Sequence, residues 1–289
     1  MYSSKILLFL SSWLLIEPGN AIAGDDSEVV RQETFYKSSY LVSLRTYEDI
    51  HTHICGGSAF HQGKWILTAR SCLLRSGTRE PLPVRAYPGL TWLLPDTKKV
   101  KDQVMTKSFC HPFEKNQPDS YTDIGLVKLQ EPLPLKIHPT GRDFDEIKLL
   151  REDLNFVGRY DEPYVYLSGW GSRYTNSRAI VGQMRHANFS IKSPSICKED
   201  PKAINFTHPN HICIQSRSEG TVPCFGDDGG PALYFKPPYW ALLGVIPAVP
   251  KKCDWQPFVM NISHFREFID DVVRHEPSKY ECRNPANDS

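Results

Sequence analysis

Two adjacent carboxylates stand in a glycine-rich turn, where residues 224–231 read Cys-Phe-Gly-Asp-Asp-Gly-Gly-Pro. Asp227 and Asp228 could bind a metal ion or share a proton, because neighbouring carboxyl groups do both in proteins. The plainer interpretation makes Asp228 a solvated residue of a cleft. A carboxylate is anionic near neutral pH and lacks the hydroxyl that would add to a peptide carbonyl, so this turn predicts no nucleophile of the serine type.

A hydroxyl and a third carboxylate occur in two other short segments. Ser71 lies in Thr-Ala-Arg-Ser-Cys at residues 68–72, and Asp123 begins Asp-Ile-Gly-Leu-Val-Lys-Leu at residues 123–129. A serine hydroxyl has a pKa far above 7 and cannot serve as a general base. His51 and His53 are two residues apart, which suits zinc on a strand, but the favoured interpretation is a surface pair.

The elements that must position these residues are mostly short strands. Apolar runs separated by turn residues recur along the whole chain, which favours a β-sandwich or a β-barrel. One helix is predicted near the end, with Ser263 as its N-cap and Pro277 after its last turn. Its apolar stripe comprises Phe265, Phe268, Ile269, Val272 and Val273.

Composition and the first residues indicate a secreted protein. The 289 residues include 34 basic and 33 acidic side chains, a net charge of +1 that favours neither a nucleic-acid nor a membrane partner. Residues 1–23 are predicted to be a signal peptide: Lys5 precedes an apolar stretch from Ile6 to Ile16, and Ala21-Ile22-Ala23 is a small-x-small cleavage site. A retained membrane anchor is the alternative. The mature chain is therefore expected to be extracellular, with residues 24–39 as an N-terminal segment.

Several segments together resemble the chymotrypsin/trypsin family of S1 serine proteases. They are Cys-Gly-Gly-Ser at 55–58, Trp-Ile-Leu-Thr-Ala at 65–69 with Cys72, the Asp-Ile-Gly-Leu segment at 123–126, Ser-Gly-Trp-Gly at 168–171 and the 224–231 turn. The resemblance implies an all-β fold of two packed six-stranded antiparallel β-barrels with a C-terminal α-helix. It assigns residues 40–276 to the protease homology domain and residues 277–289 to a C-terminal tail.

The resemblance also implies how six of the eight cysteines pair. The implied disulfides are Cys55–Cys72, Cys197–Cys213 and Cys224–Cys253. Cys110 and Cys282 are left over; a Cys110–Cys282 bridge would tie the tail to the segment before Asp123. Free thiols or an intermolecular bridge are the alternatives.

In the family's pattern, the catalytic triad is degenerate in this chain. Ser71 takes the place of the histidine, Asp228 takes the place of the nucleophilic serine, and Asp123 alone matches. Gly226 and Asp227 are the remnant of the oxyanion loop. The Ile-Val-Gly-Gly terminus that follows activation cleavage is absent, so Asp227 is expected to lack an amine partner.

The implied substrate side is altered as well. Val222 aligns with the floor of the specificity pocket, and Phe258 replaces a wall glycine and is expected to fill the pocket. Pro247, Ala248 and Val249 replace the Ser-Trp-Gly strand that pairs with substrate, and proline removes a backbone donor there.

These residues predict a secreted pseudoprotease that acts through protein binding, as a cofactor, decoy or regulator in a protease cascade. The expected partner is an extracellular protein, such as an active protease or an inhibitor, bound by a monomer without any cofactor or metal. The alternatives are residual serine-type hydrolase activity and a glycan- or polyanion-binding module. Asn205 and Asn188 are the predicted glycosylation sites among four sequons, since Asn261 lies in an apolar run and Asn287 lies near the chain end.

Overall fold

The computed structural model describes residues 28–29, 40–88, 92–93, 102–112, 119–133, 147–151, 163–172, 174, 177, 179–180, 182–203, 205–217, 220–236, 239–249, 253 and 257–283. The strands in these ranges are β1 (Glu28–Val29), β2 (Leu41–Thr46), β3 (His53–Phe60), β4 (Trp65–Thr68), β5 (Val84–Pro88), β6 (Gln103–Cys110), β7 (Gly125–Leu129), β8 (Lys148–Leu149), β9 (Tyr164–Gly169), β10 (Arg185–Ile191), β11 (His211–Ser216), β12 (Pro231–Lys236), β13 (Tyr239–Val245) and β14 (Phe258–Asn261). The helices are α1 (Pro194–Glu199) and α2 (Arg266–His275), with 3-10 turns at Arg70–Leu73, Asp119–Thr122 and Ser278–Tyr280.

The strands form two closed antiparallel barrels of six strands each, as predicted. The first runs in the order β2-β3-β4-β7-β6-β5. The second is the ring β9-β10-β11-β14-β13-β12, which closes because β10 pairs with both β9 and β11. Two short strands lie outside the ring: β1 pairs with β10, and β8 runs parallel to β13. Closure leaves few free edges, which protects short strands from pairing with other chains.

The apolar core consists of two large clusters; the first combines the first-barrel residues with some from β12, β13 and β14, and the helix α2 packs on it. Leu44, Ile66 and Phe109 are fully buried in the first barrel, and Phe268, Ile269 and Val272 of α2 pack into the same cluster. The second core includes fully buried Val165, Phe189 and Ile214. A smaller cluster joins residues of both barrels around fully buried Trp170, and it also contains Leu41 and Tyr87. This packing fixes the two barrels against each other along the cleft.

The C-terminal helix is found where the apolar stripe predicts it, but its first residue is capped differently. Phe265 occupies the N-cap position, and Ser263 instead donates through both its backbone N–H and its hydroxyl to the side-chain oxygen of Asn261. The Ser263 N-cap prediction is therefore wrong. Glu276 ends the helix in a left-handed conformation, and its N–H binds the carbonyl of Val272.

Four disulfides connect the described cysteines, in the pairs that were expected. Cys55 bonds to Cys72, Cys197 to Cys213, Cys224 to Cys253, and Cys110 to Cys282. The last bridge spans 172 residues and fixes the segment after α2 against β6. Such disulfide density is typical of extracellular proteins. In the described ranges, neither helix is long and apolar enough to span a bilayer.

Candidate functional site

Ser71 and Asp123 meet at one end of the first barrel. Ser71 lies in the 3-10 turn that follows β4, and Asp123 directly precedes Ile124 and β7, the strand that pairs with β4. The backbone N–H of Ser71 donates to Asp123 Oδ1 at 2.8 Å, and the Ser71 hydroxyl donates to Oδ2 at 2.9 Å. Asp123 is 1% exposed. The pairing of β4 with β7 thus brings the predicted hydroxyl and carboxylate into direct contact.

A third donor completes the surroundings of Asp123. The N–H of Ala248, in the segment after β13, donates to Asp123 Oδ2 at 2.8 Å. Three hydrogen bonds therefore satisfy a buried carboxylate that would otherwise be costly. A carboxylate is much less basic than an alkoxide, so it can orient the Ser71 hydroxyl but is a poor acceptor of its proton.

The turn at residues 224–230 directs Asp228 across the cleft. Asp228 Oδ2 accepts from the N–H of Gly226 at 3.1 Å, and Oδ1 accepts from the N–H of Val249. The Asp228 carbonyl accepts from the N–H of Gly56 at 2.7 Å, which attaches the turn to the first barrel. This carboxylate is therefore a bridge between the turn and residues 246–249, which form the opposite wall.

A glycine is required next to this bridge. Gly229 has a φ of +75°, and a Cβ there would lie 2.5 Å from the carbonyl oxygen of Gly56. Only glycine adopts such a conformation without strain, and here the close backbone leaves no room for a methyl group. The Gly-Gly sequence after Asp228 is therefore a packing requirement of the turn.

Asp227 points the opposite way, into the protein. Its Oδ1 accepts from the N–H of Gly171 at 2.8 Å and its Oδ2 from the N–H of Cys224 at 2.9 Å. A Cβ added at Gly169 or Gly171 would lie 2.0 or 2.2 Å from a carboxylate oxygen, so the Gly-Trp-Gly segment is shaped around Asp227. The residues predicted to contain the mature N-terminus lie mostly outside the described ranges, so the absence of an amine partner stays a prediction.

Burial raises the pKa of both carboxyl groups of the turn. The pKa of Asp227 is raised to about 7 by desolvation, with the charge of Asp228 adding to it and the two backbone hydrogen bonds opposing it. The pKa of Asp228 is raised to about 6, again chiefly by desolvation, with the charge of Asp123 adding to it. Asp228 is thus mostly ionised at pH 7, whereas Asp227 is close to half protonated.

These raised pKa values predict a pH dependence of stability with a definite sign. A carboxyl group whose folded-state pKa exceeds its unfolded value binds more protons when folded, so its contribution is largest below about pH 4 and is lost as pH rises through about 6. The Asp228→Asn variant has no such titration. We therefore expect its unfolding free energy, relative to that of the wild-type chain, to increase by at most about 3 kcal/mol as the pH rises from 4 to 7. Urea denaturation at each pH measures the difference, and a difference that moves the other way with pH would contradict the prediction.

The opposite wall of the cleft offers few free backbone donors. Ile246 is held by Gly230 and Gly229 through two backbone hydrogen bonds of 2.9 Å, and Pro247 has no N–H. The next two N–H groups, of Ala248 and Val249, bind Asp123 and Asp228. Every N–H that the described residues 246–249 possess is therefore bound within the chain.

The predicted specificity-pocket residues lie in two different clusters, and the filling of the pocket by Phe258 stays a prediction. Its side chain is fully buried beside the Cys197–Cys213 disulfide, with its ring 4.2 Å from that of His211 and 5.9 Å from that of Phe206. Val222 and Val249 pack instead with the core of the second barrel. Phe258 belongs to the disulfide cluster because neighbouring residues of a strand face opposite sides, and Val259 is the residue of β14 that joins the barrel core.

His53 is a residue of this region that sequence reasoning placed wrongly. It is 3% exposed, while His51 is exposed, so the two do not form a surface pair. Ser43 Oγ lies 2.8 Å from His53 Nδ1, and the carbonyl oxygen of Gly226 lies 2.8 Å from Nε2. Burial lowers the pKa of His53 to about 4, so the ring is neutral at pH 7. Nothing in its spacing distinguished it from a surface residue, because its partner Gly226 is 173 positions away.

Removing the His53 ring is expected to destabilise the protein strongly. The His53→Ala variant removes two buried hydrogen bonds, leaves Ser43 Oγ with only the 3.4 Å bond from Arg45, and should lose about 2–4 kcal/mol of unfolding free energy. The exposed His51→Ala variant is the matched control and should change it by less than about 0.5 kcal/mol. Guanidinium denaturation of both proteins checks this, and equal effects would show that the ring does not hold the Gly226 turn.

No group of three or more His, Cys, Asp or Glu side chains suited to a metal occurs within the described part of the chain.

The predicted glycosylation sites differ in exposure. Asn188 is exposed on β10, Asn205 is half-buried, and Asn261 is 7% exposed and donates to the Pro209 carbonyl. Exposure therefore favours Asn188 over Asn205 as an acceptor, and glycosylation of either stays a prediction.

Comparison with known proteins gives consistent matches over most of the chain. The family model described as Trypsin matches residues 29–269. A curated relative, "Serine protease 28" of Mus musculus, is 26% identical over 222 residues, which cover 73% of this chain and 75% of the relative.

Two solved structures share the fold at lower identity. The mouse-brain serine protease neuropsin has a TM-score of 0.64 and 19% identity, covering 86% of this chain and 99% of its own. A mutant of human heparin binding protein (CAP37) has a TM-score of 0.64 and 18% identity, covering 87% and 97%. At such identities, the likeness carries the two-barrel architecture and no more.

Proposed function

The chain belongs to the trypsin family, and on that premise we propose that it is a secreted, non-catalytic member that acts by binding another extracellular protein. The observation that carries the proposal is the Asp228 carboxylate, which binds the N–H groups of Gly226 and Val249. In a catalytic member, this position holds the attacking hydroxyl and the neighbouring amides serve the substrate. Here the Asp228 carboxylate stands at the position of the hydroxyl and also accepts the hydrogen bonds that the amides would donate to a substrate.

The Ser71–Asp123 contact supports the same proposal from the other side of the cleft. Asp123 is positioned to orient a base, but the group it binds is a hydroxyl and not an imidazole. Of the described histidines nearest in the fold, His53 is held by Ser43 and Gly226, and His111 packs against Phe265 and Phe268. A nucleophile and a base act as one unit, so the loss of either removes most of the rate enhancement, on the order of 10⁶-fold in a triad hydrolase.

Residual hydrolysis by Ser71 is the competing proposal, and the contacts weigh against it. Its hydroxyl is bound to a carboxylate, and Asp228 would repel a developing oxyanion from the turn that should stabilise it. We expect no turnover of a broad peptide and ester library by the purified secreted chain. Turnover that the Ser71→Ala substitution abolishes would overturn the proposal and establish this alternative.

The binding role is tested separately from the absence of catalysis. The secreted chain is cross-linked in its native fluid, and the proteins that co-purify are identified by mass spectrometry. We expect a protease or a protease inhibitor to be enriched over a control with an unrelated disulfide-bonded protein of similar size. Recovery of the chain alone at all concentrations would contradict the proposed cofactor or decoy role.

A further inference from the structure

Four aromatic side chains form a continuous group on the outside of the second barrel, away from the cleft. This aromatic face consists of Tyr164 and Tyr166 on β9, Phe235 on β12 and Trp240 on β13. The ring centroids lie 5.5 Å apart between Tyr164 and Tyr166, 5.1 Å between Tyr166 and Trp240, and 5.0 Å between Trp240 and Phe235. Tyr164 is 38% exposed and Phe235 is 40% exposed, while the other two rings are half-buried. Contiguous exposed apolar surface, unlike a single scattered side chain, is typical of a binding site.

The alternation of side chains along each strand places these rings outside the barrel. Val165 of β9, Tyr234 of β12 and Ala241 of β13 pack with the second core cluster, so the residues next to them in the sequence face outwards. Phe235 and Trp240 are directly opposite each other in the β12–β13 pair. Because β13, β12 and β9 are neighbours in the sheet, the aromatic face is a fixed feature of the folded barrel.

The sequon residue Asn188 lies at the edge of the aromatic face. It is exposed on β10 and is directly opposite Tyr166 in the β9–β10 pair. Both side chains face outwards, because Ala187 and Phe189 on either side of Asn188 pack with the second core cluster. The β carbons of such cross-strand partners are about 4.5–5.5 Å apart. A group attached to the Asn188 amide therefore starts beside the Tyr166 ring.

We propose that Asn188 carries an N-linked glycan whose first sugar rings pack on the aromatic face. In the transfer, the Asn188 side-chain nitrogen bonds to C1 of the first sugar of a lipid-linked oligosaccharide, the bond from that C1 to the lipid diphosphate breaks, and the diphosphate leaves with the amide proton. The C–H groups of a sugar ring carry small positive charges and pack on the negative face of an aromatic ring. Attachment beside the rings makes this contact intramolecular, so even weak stacking is well populated.

The sequon also sets when the sugar is added. Its hydroxyl residue, Ser190, is 7% exposed in the folded barrel, so the transfer has to precede the pairing of β10. A secreted chain meets the transferase while it is still unfolded. The inference therefore rests on the secretion that is part of the proposed function, and it does not depend on the absence of catalysis.

A stability cycle separates stacking on the rings from a general effect of the sugar. Asn188→Gln should lower the unfolding temperature of the wild-type chain by about 2–4 °C, since stacking stabilises only the folded state. In the Tyr164→Ser/Phe235→Ser background, which lacks the two exposed rings, the same substitution should have a clearly smaller effect. Asn205→Gln, at the other predicted acceptor, is the matched control and should act equally in both backgrounds. Equal effects of Asn188→Gln in both backgrounds would refute the stacking.

Hydroxyl-radical footprinting with mass spectrometry tests both the attachment and the contact. The full chain is secreted from a eukaryotic cell line as the wild type and as Asn188→Gln, and the oxidation rates of individual residues are compared. We expect a glycopeptide that contains Asn188, and oxidation of Tyr164 and Phe235 several-fold slower in the wild-type chain than in Asn188→Gln. Tyr47 follows β2 of the first barrel and is also 38% exposed, so its oxidation rate is the internal control and should not change.

The outcomes distinguish this inference from the proposed function. A secreted chain with unmodified Asn188, or a glycosylated chain in which Tyr164 and Phe235 react as fast as in Asn188→Gln, would overturn the inference and leave the proposed function intact. Protection that persists in Asn188→Gln and increases with chain concentration would show that a second copy covers the aromatic face, and would also overturn it. Retention of the wild-type chain inside the cell would contradict the secretion on which both depend.

Discussion

The double variant Ser71→His/Asp228→Ser is expected to react with a fluorophosphonate at a rate on the order of 10³-fold or more above that of the wild-type chain. Asp123 is already placed to accept from a side chain at position 71, as its contact with the Ser71 hydroxyl demonstrates. Replacing Asp228 removes the carboxylate that binds the N–H of Gly226, which frees that amide for an oxyanion. A fluorophosphonate is small and makes little demand on the altered substrate wall.

The single variants are the controls for this experiment. Ser71→His and Asp228→Ser should each remain close to the wild-type rate, because base and nucleophile contribute only together. Ser71→Ala/Asp228→Ser has the new hydroxyl without a base and should also stay unreactive. If the double variant folds and gains nothing, residues 71 and 228 are not what sets the reactivity of the cleft, and the account given by the Ser71–Asp123 and Asp228 contacts is contradicted.

Removing the Cys110–Cys282 bridge is expected to give the largest loss of stability among the disulfides. The bridge spans 172 residues and constrains the unfolded chain more than any short loop does. The Cys110→Ala/Cys282→Ala variant should lose about 5 kcal/mol at most in the chain-entropy model, and more than the short-loop control Cys197→Ala/Cys213→Ala, at about 3 kcal/mol.

Denaturation of both variants under identical conditions measures this ordering. The Cys197–Cys213 bridge spans 16 residues and lies against fully buried Phe258, so it tests loop length against local packing. A larger loss in the short-loop variant would show that packing around the disulfide outweighs the constraint on the unfolded chain.

Residues that interact within a strand or a turn were predictable from the sequence. Short apolar runs with turns between them predicted a sandwich or a barrel, the resemblance to the trypsin family implied the two barrels, and five apolar residues at helical spacing predicted α2. The Gly-Gly sequence after Asp228 and the Gly-Trp-Gly segment were recognisable as motifs of the family, and the structure adds the steric demands at Asp227 and Gly56 that these glycines meet. Of these features, only the apolar runs and the helical stripe depend on spacing alone.

Contacts that depend on the final packing were not predictable. The bond from Val249 to Asp228 joins residues 21 apart, and that from Ala248 to Asp123 joins residues 125 apart. His53 was placed wrongly, since its surroundings consist of residues that only the closed barrels bring near. The sequence showed which groups were present in the cleft, but not that the carboxylates bind the backbone of its opposite wall.

The central claim is that no activated oxygen nucleophile exists in the cleft, and covalent labelling tests it most directly. The purified chain is incubated with an excess of a fluorophosphonate, beside active trypsin as a positive control, and the intact mass of each is measured. We predict full modification of trypsin and an unchanged mass for this chain. Stoichiometric addition of one phosphonyl group to this chain would contradict the account.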